Sequence, residues 1–460
     1  MSIQTTARRT GSGDTLENGF TRLRHACTKW PARLGQRGLA TVLPLLLASA
    51  AWSASPATPH PAAGSFAALT SAALSSASNA SPSAAVTGDV RAIAPERLQE
   101  RTALLRTGEA ALAKLDLGAA INAFDRAALI EHTADTEVSL VRAYMQGGQY
   151  RRALASAAHT AGAHLDVVAA SAMYAWLLSA GGQGVIGQRL LEEARVRMPA
   201  NPLVGGVQQQ LRSGAPMATG ALLDAPMRLA PYSSGPALPQ QARVVSSGLL
   251  LAGGRQALVP MAALPNAKSA RLWVRNGMGA LSAATLVARM PNVGVALLEL
   301  AATLPVANAP GVATTGAFPG SAGFAVEYTA SPTAQAAWPL LRAGFLGGMT
   351  GNPARPEERA LGISMPPGPR GGPVFDVAGR LIGMALMPDK GPSRTSQKTL
   401  PILVLAATLR RELAKAAPAV SLGAAPAESS AAPSDAPGRM ALDAMYENAL
   451  RTTLQVITLR

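Results

Sequence analysis

Glycine and proline cluster in one short stretch late in the chain. Residues 368–373 read Gly-Pro-Arg-Gly-Gly-Pro, and residues 374–383 read Val-Phe-Asp-Val-Ala-Gly-Arg-Leu-Ile-Gly. Glycines reach backbone angles that are closed to other residues, so they let amide groups turn inward. Two apolar runs separated by Asp and Gly favour a hairpin with a short turn. The stretch therefore predicts a tight loop that leads into two paired strands.

This stretch resembles the nucleophile loop of the trypsin-like serine proteases, which reads Gly-x-Ser-Gly-Gly-Pro and continues through two strands to Ile-Gly. Arg370 stands where the family keeps its serine. In an active member, the resemblance implies an oxyanion site made by the backbone N–H groups at Gly368 and Arg370. Gly371 would complete this vestigial binding loop. The alternative is a glycine-rich turn in an unrelated barrel.

The other two positions of the family's catalytic triad also differ. The family's histidine follows the second strand of the first barrel, and the matching segment, 258–264, places Ala262 there. The family's aspartate precedes a strand similar to residues 295–298, where this chain has Gly294. The resemblance thus implies a degenerate triad at Ala262, Gly294 and Arg370, and an inactive protease homologue rather than an enzyme.

The distribution of histidine supports this prediction without any alignment. The chain's five histidines are His25, His60, His132, His159 and His164. The expected barrels therefore contain no imidazole, and serine is a poor nucleophile without an adjacent base. The rival hypothesis is a hydrolase with a relocated catalytic set, for which Lys268, Lys390 and Lys398 are candidate bases.

Two interpretations of Arg370 stay open, and no metal site is expected. A guanidinium at the mouth of the loop would hold a peptide carboxylate or an acidic side chain; alternatively, it points into solvent and plugs the old cleft. His159 and His164 lie five residues apart on helical sequence, which predicts different faces and no shared metal. No cofactor is expected.

Residues 97–213 show helical periodicity and a repeat. Small residues recur at Ala127, Thr160 and Ala194, and Gly108 precedes Phe124 at a characteristic spacing. The segment resembles tetratricopeptide repeats, which implies stacked helices with a concave groove for a protein or peptide ligand. A generic helical bundle is the alternative.

The first part of the chain predicts export. Residues 1–38 are basic, residues 39–51 are apolar, and residues 48–50 read Ala-Ser-Ala. This order is typical of a secretory signal; left uncleaved, the segment would anchor the chain in the inner membrane. The net charge of +15 comes with only 4% aromatic residues and no basic stripe, so nucleic-acid binding is not expected.

These observations predict a multidomain α + β protein, with tetratricopeptide-like helices followed by a trypsin-like double β-barrel. Residues 399–414 resemble the last strand and closing helix of the family's bacterial periplasmic branch. We expect a periplasmic pseudoprotease that binds a protein or peptide; the 439–460 tail docks on the barrel or on another chain, or is solvated. The expected segments are a signal peptide or anchor (1–54), a disordered linker (55–96), helical repeats (97–213), a linker (214–240), the double barrel (241–415), a disordered linker (416–438) and the tail (439–460).

Overall fold

The computed structural model describes most of one compact unit, Asp89–Arg460. The described residues are 93–213, 228–265, 271–306, 310–313, 318–353, 355–365, 370–387, 401–423 and 438–459. The predicted export signal at 1–54, Gly368 and the three candidate lysines lie outside these residues.

Helices make up the first part of the described chain. They are α1 (Pro95–Ala113), α2 (Leu117–Ile130), α3 (Ala134–Gln146), α4 (Tyr150–Ala163), α5 (Val168–Ala180), α6 (Gly184–Arg197) and α7 (Pro202–Ser213). Consecutive helices pack in pairs, α1 with α2, α3 with α4 and α5 with α6, while α7 lies against α5 and α6.

Small residues allow the helices of each pair to approach closely. A Cβ atom at Gly108 would lie 2.3 Å from the ring of Phe124, so the ring occupies the space that glycine leaves. Ala127, Thr160 and Ala194 are buried at matching places in α2, α4 and α6. The repeating small residues of the sequence therefore mark helix contacts.

Twelve strands follow within the described residues, and they form two closed six-stranded barrels. The first barrel contains β1 (Ala242–Leu250), β2 (Gln256–Pro260), β3 (Leu272–Asn276), β4 (Leu281–Met290), β5 (Val295–Leu300) and β12 (Thr453–Leu459). The second contains β6 (Ala322–Glu327), β7 (Leu340–Met349), β8 (Arg359–Gly362), β9 (Pro373–Phe375), β10 (Leu381–Leu386) and β11 (Ile402–Leu405).

The tail completes the first barrel. Helix α9 (Leu442–Thr452) leads into β12, which pairs with β1 from Ala242↔Leu459 to Leu249↔Thr453 and with β3 on its other side. The barrel therefore extends beyond the expected boundary at residue 415, and the tail is neither solvated nor merely docked. The strand is needed because β1 and β3 would otherwise each leave a row of backbone groups unpaired.

Helix α8 (Ala406–Ala416) follows β11, as the resemblance of residues 399–414 implies. Leu409 and Leu413, one turn apart, are both buried and pack the helix against strands of both barrels, β10 and β4. The helix thereby bridges the barrels.

The inner helices are covered by the rest of the chain. Helices α3 and α5 are buried along nearly their whole length, whereas α2, α4 and α6 bury only a stripe. From α3, Arg142 donates to the carbonyl of Arg228 at 2.7 Å, and Gln146 donates to that of Met278 at 2.7 Å. The face that the repeat hypothesis assigned to a ligand is therefore occupied in part by the chain itself.

None of the helices in the described ranges has the combination of length and apolarity that crossing a bilayer requires.

Candidate functional site

The three predicted triad positions line one cavity. Ala262 lies in a short 3-10 turn after β2, Gly294 directly precedes β5, and Arg370 lies shortly before β9. All three contribute to a cavity of about 270 Å³ between the barrels. The structure thus brings together three residues that lie 32 and then 76 positions apart in the sequence.

Two of these positions are held side by side by the backbone. The N–H group of Met261 donates to the carbonyl of Gly294 at 2.9 Å. Gly294 has a φ of 66°, a left-handed conformation that favours glycine. A methyl group at Ala262 and a hydrogen at Gly294 offer no atom that accepts or donates a proton.

Arg370 points inward rather than into solvent. Its residue is 4% exposed, and its Nη1 atom lies 3.2 Å from Oε2 of Glu327, which is equally buried at the end of β6. The expectation of a solvent-facing plug is therefore wrong. The guanidinium does hold a carboxylate, as the other interpretation requires, but that carboxylate belongs to the chain.

Glu327 lies under opposing influences. Burial raises its pKa to about 6, while Arg370 and the backbone N–H groups of Gly372 and Gly371 act in the opposite direction. The N–H of Gly372 lies 3.4 Å from Oε1. Arg342 is close enough to contribute, and burial lowers the pKa of its own guanidinium. The loop and strand β6 are thus joined by a buried charge cluster.

Gly371 fits the loop against the first barrel. Its φ is 139°, and a Cβ atom there would lie 2.2 Å from the carbonyl oxygen of Ser247 and 2.5 Å from Pro260. Since no side chain fits that space, a glycine is required at this contact between the barrels. Gly368, the other predicted oxyanion donor, lies outside the described residues.

Sequence reasoning missed Glu327. A buried arginine needs a counter-charge, but the sequence does not show that Arg370 is buried. The sequence offered no means of choosing among the acids, because the partner is 43 positions away in a different strand.

A second cluster brings together two histidines that were expected on different faces. His159 and His164 both approach the buried Glu137, with Nε2 atoms 3.4 Å from Oε1 and Oε2 respectively. The different-faces expectation is wrong because α4 ends at Ala163, so His164 falls beyond its last helical residue. His132 joins them, with Nε2 2.5 Å from Oε1 of Glu137.

The two closed barrels fit the double β-barrel of the trypsin-like fold. The chain thus contains a trypsin-like double β-barrel, and seven described helices precede it in the sequence.

No family model matches the chain, and no curated protein matches it. Among solved structures, the MamO protease domain of Magnetospirillum magneticum, in its apo form, is similar at 19% identity. The match covers 37% of this chain and 94% of that domain, with a TM-score of 0.29.

Proposed function

We propose that this chain is an exported, inactive homologue of the trypsin-like proteases that acts as a protein- or peptide-binding scaffold in the cell envelope. In this proposal the cleft between the barrels captures an extended peptide without cleaving it. The helices, as tetratricopeptide-like repeats, pack against the barrels and support the cleft.

One observation carries the proposal: among the described residues that line the cavity, none has a group that can act as a base or a nucleophile. The described residues that line it are Pro260, Met261, Ala262, Pro291, Gly294, Arg355, Arg370, Leu386 and Met387. Arginine keeps its proton in proteins, and the other side chains carry no ionisable group. A protease needs a nucleophile with a base beside it.

The shape of the cleft supports peptide binding. Ala262 also borders a second, open depression of about 560 Å³, lined by β1, the end of β12 and residues 330–332. Its lining includes Val244, Val245 and Leu264. Two adjoining depressions with apolar walls can accept successive side chains of an extended peptide, and they suit such a ligand better than one compact molecule.

The helices support the choice of the cleft as the binding surface. Helices α3 and α5 are covered by residues 228–232 and by the barrels, with Tyr232 donating its N–H to Gln146 at 2.8 Å. No residue in the described part of the chain covers the depression beside Ala262 in this way. We therefore assign the ligand to the cleft.

The proposed export and location in the cell envelope rest only on the sequence of residues 1–54. A basic N-terminal region, then an apolar run, then a small-residue cleavage site such as Ala-Ser-Ala is the order found in secretory signal peptides. N-terminal sequencing of the protein from fractionated cells distinguishes cleavage from an inner-membrane anchor.

The test uses purified protein with fluorescein-labelled casein peptides. We expect saturable binding by fluorescence anisotropy, intact peptides afterwards by mass spectrometry, and no labelling by a fluorophosphonate probe. Ala262→Trp, which puts an indole into the cleft, should weaken binding at least about tenfold, roughly 1.4 kcal/mol.

The matched control is Ala155→Trp, at an exposed position on α4, which should leave the affinity unchanged. Cleaved peptide or a covalent fluorophosphonate adduct would instead establish the rival hydrolase with a relocated catalytic set. Equal affinity in both variants would remove the cleft as the binding surface.

A further inference from the structure

Three histidines and one glutamate meet where the first two helix pairs join. His132 lies in the connection between α2 and α3, Glu137 in the first turn of α3, and His159 near the end of α4. His164 follows α4 directly. The three histidines, from separate segments, therefore each approach the carboxylate of Glu137, although nothing in the protease-like architecture requires them there.

Two of the three distances from the histidines to Glu137 match the ligand shell of a small metal ion, and the third, 2.5 Å from Nε2 of His132 to Oε1, is a direct contact that a bound ion would have to widen. Zinc lies about 2.0–2.1 Å from its nitrogen and oxygen ligands, so two ligands at a tetrahedral angle are about 3.3 Å apart. The Nε2 atoms of His159 and His164 each lie 3.4 Å from an oxygen of Glu137. Ligand atoms of His132, Glu137 and His164 all lie within 4.8 Å of one another.

Two buried atoms in the cluster have no hydrogen-bond partner. Oε2 of Glu137 and Nε2 of His164 are enclosed without one, and the Glu137 residue is only 8% exposed. Buried side-chain polar atoms nearly always have a partner, so these two atoms indicate a missing positive charge between them. One cation bound at the centre would satisfy both.

The donor set selects the type of ion. Three imidazoles and one carboxylate give three nitrogens and one oxygen, which suit zinc and neighbouring transition metals. Calcium and magnesium prefer shells made of oxygen alone. Four protein ligands also leave no open position, which is typical of structural rather than catalytic zinc.

We propose that His132, Glu137, His159 and His164 bind one Zn²⁺ ion, which clamps the first two helix pairs together. The imidazoles of His132 and His159 lie at the surface, with side chains 59% and 63% exposed, while Glu137 lies beneath them. The ion enters from solvent and fixes the connection between α2 and α3 to the end of α4.

The test uses the full chain, stripped of metal by a chelator and dialysed against Zn²⁺. We expect one Zn²⁺ per chain by mass spectrometry of the metal, and the visible absorption of tetrahedral Co²⁺ when Co²⁺ replaces it. Glu137→Gln should lower the Zn²⁺ affinity more than about 100-fold, since loss of a second-shell partner alone costs 10–100-fold. Zn²⁺ should raise the melting temperature of the wild type but not of this variant.

Glu193→Gln is the matched control, because it changes an exposed carboxylate on α6 in the same helical region; it should bind Zn²⁺ as the wild type does. A His25→Gln/His60→Gln double variant should also keep full binding, which excludes the histidines outside the described residues.

Two further variants protect the test against misfolding. His132→Gln and His159→Gln alter exposed side chains, so each should fold and still lose affinity. Wild-type protein without stoichiometric Zn²⁺, or Zn²⁺ binding of unchanged affinity in Glu137→Gln and both histidine variants, would overturn the proposal.

Discussion

The two barrels share one strand order but not one path of the chain. Around the second barrel the strands run β6, β7, β8, β11, β10, β9, and around the first they run β12, β1, β2, β5, β4, β3. With β12 counted first, the two orders are identical. The strands of the second barrel follow one another in the sequence. The first barrel includes β12, which comes in the sequence after all strands of the second barrel.

Closure of a barrel therefore depends on strand pairing rather than on continuity of the chain. The gap between β1 and β3 must be filled by a strand that is antiparallel to both. Strand β12 pairs antiparallel with each of them. Closure removes every unpaired edge, so any segment with the right pattern can supply the strand.

The barrels also differ in the charges they place at their contact. The second contributes the buried pair of Arg370 and Glu327, while the first contributes Ala262 and Gly294. The contact between the barrels thus carries an ion pair on one side and residues without ionisable groups on the other.

Removal of residues 438–460 should have the largest effect. It takes away Leu454, Val456 and Ile457, all fully buried, and burial of each such side chain contributes about 1.5–3 kcal/mol. Since whole domains are stable by about 5–15 kcal/mol, the first barrel should not fold. Hydrogen exchange should show lost protection in β1 and β3 and retained protection in β6–β11.

Adding a synthetic peptide of residues 438–459 to the truncated protein should restore protection in β1 and β3. If the truncated chain already protects both strands, the first barrel closes without β12, and the contrast between the barrels fails.

Arg370→Ser should have the next largest effect. It leaves Glu327 buried without its partner, and breaking a buried pair costs about 3–5 kcal/mol. The pKa of Glu327 is already raised to about 6 by burial, and loss of Arg370 should raise it further. A raised carboxyl pKa means that stability is present at low pH and is lost as pH increases through the folded value.

Urea unfolding between pH 5 and pH 8 checks this prediction, with a smaller deficit expected at pH 5 because Glu327 is then protonated. Arg380→Ser is the control: its partner Asp376 lies 2.7 Å away, but the arginine side chain is 28% exposed, so the deficit should stay within about 1 kcal/mol. Equal deficits at both positions would show that burial of the Arg370 pair is unimportant.

Tyr446→Phe should have the smallest effect. The Tyr446 hydroxyl, on the helix that carries β12 to its place, donates to the carbonyl of Pro339 at 2.7 Å, and its ring packs edge-on to Tyr150. Loss of the hydroxyl leaves that carbonyl unpaired and should cost about 1–2 kcal/mol. Thermal unfolding checks it, with the half-buried Tyr174→Phe as control. No difference between the two variants would mean that this bond does not anchor α9.

Local patterns predicted most of the architecture. The glycine-rich loop does lead into the strands β9 and β10, the helical periodicity of residues 97–213 corresponds to seven helices, and residues 399–414 contain a strand and a helix. The positions Ala262, Gly294 and Arg370 do line one cavity. Each of these signals consists of a few neighbouring residues, or of a residue at a fixed distance in sequence from a recognisable motif.

What the sequence could not reveal depends on contacts between distant segments. The tail alternates apolar residues as a strand does, but its partners Ala242 and Arg275 lie far back in the chain. Glu327 and the cluster around Glu137 are likewise assembled by folding. Periodicity reports which face of an element is buried and says nothing about what covers it.

The position of β12 also has a cost during protein synthesis. Ala242 pairs with Leu459, so a growing chain holds an open barrel until the later residue has emerged. At about 5–20 residues per second, that delay is on the order of ten to forty seconds. During it, the edges of β1 and β3 are open to pairing with other nascent chains, and a chaperone that shields extended apolar segments is the natural protection.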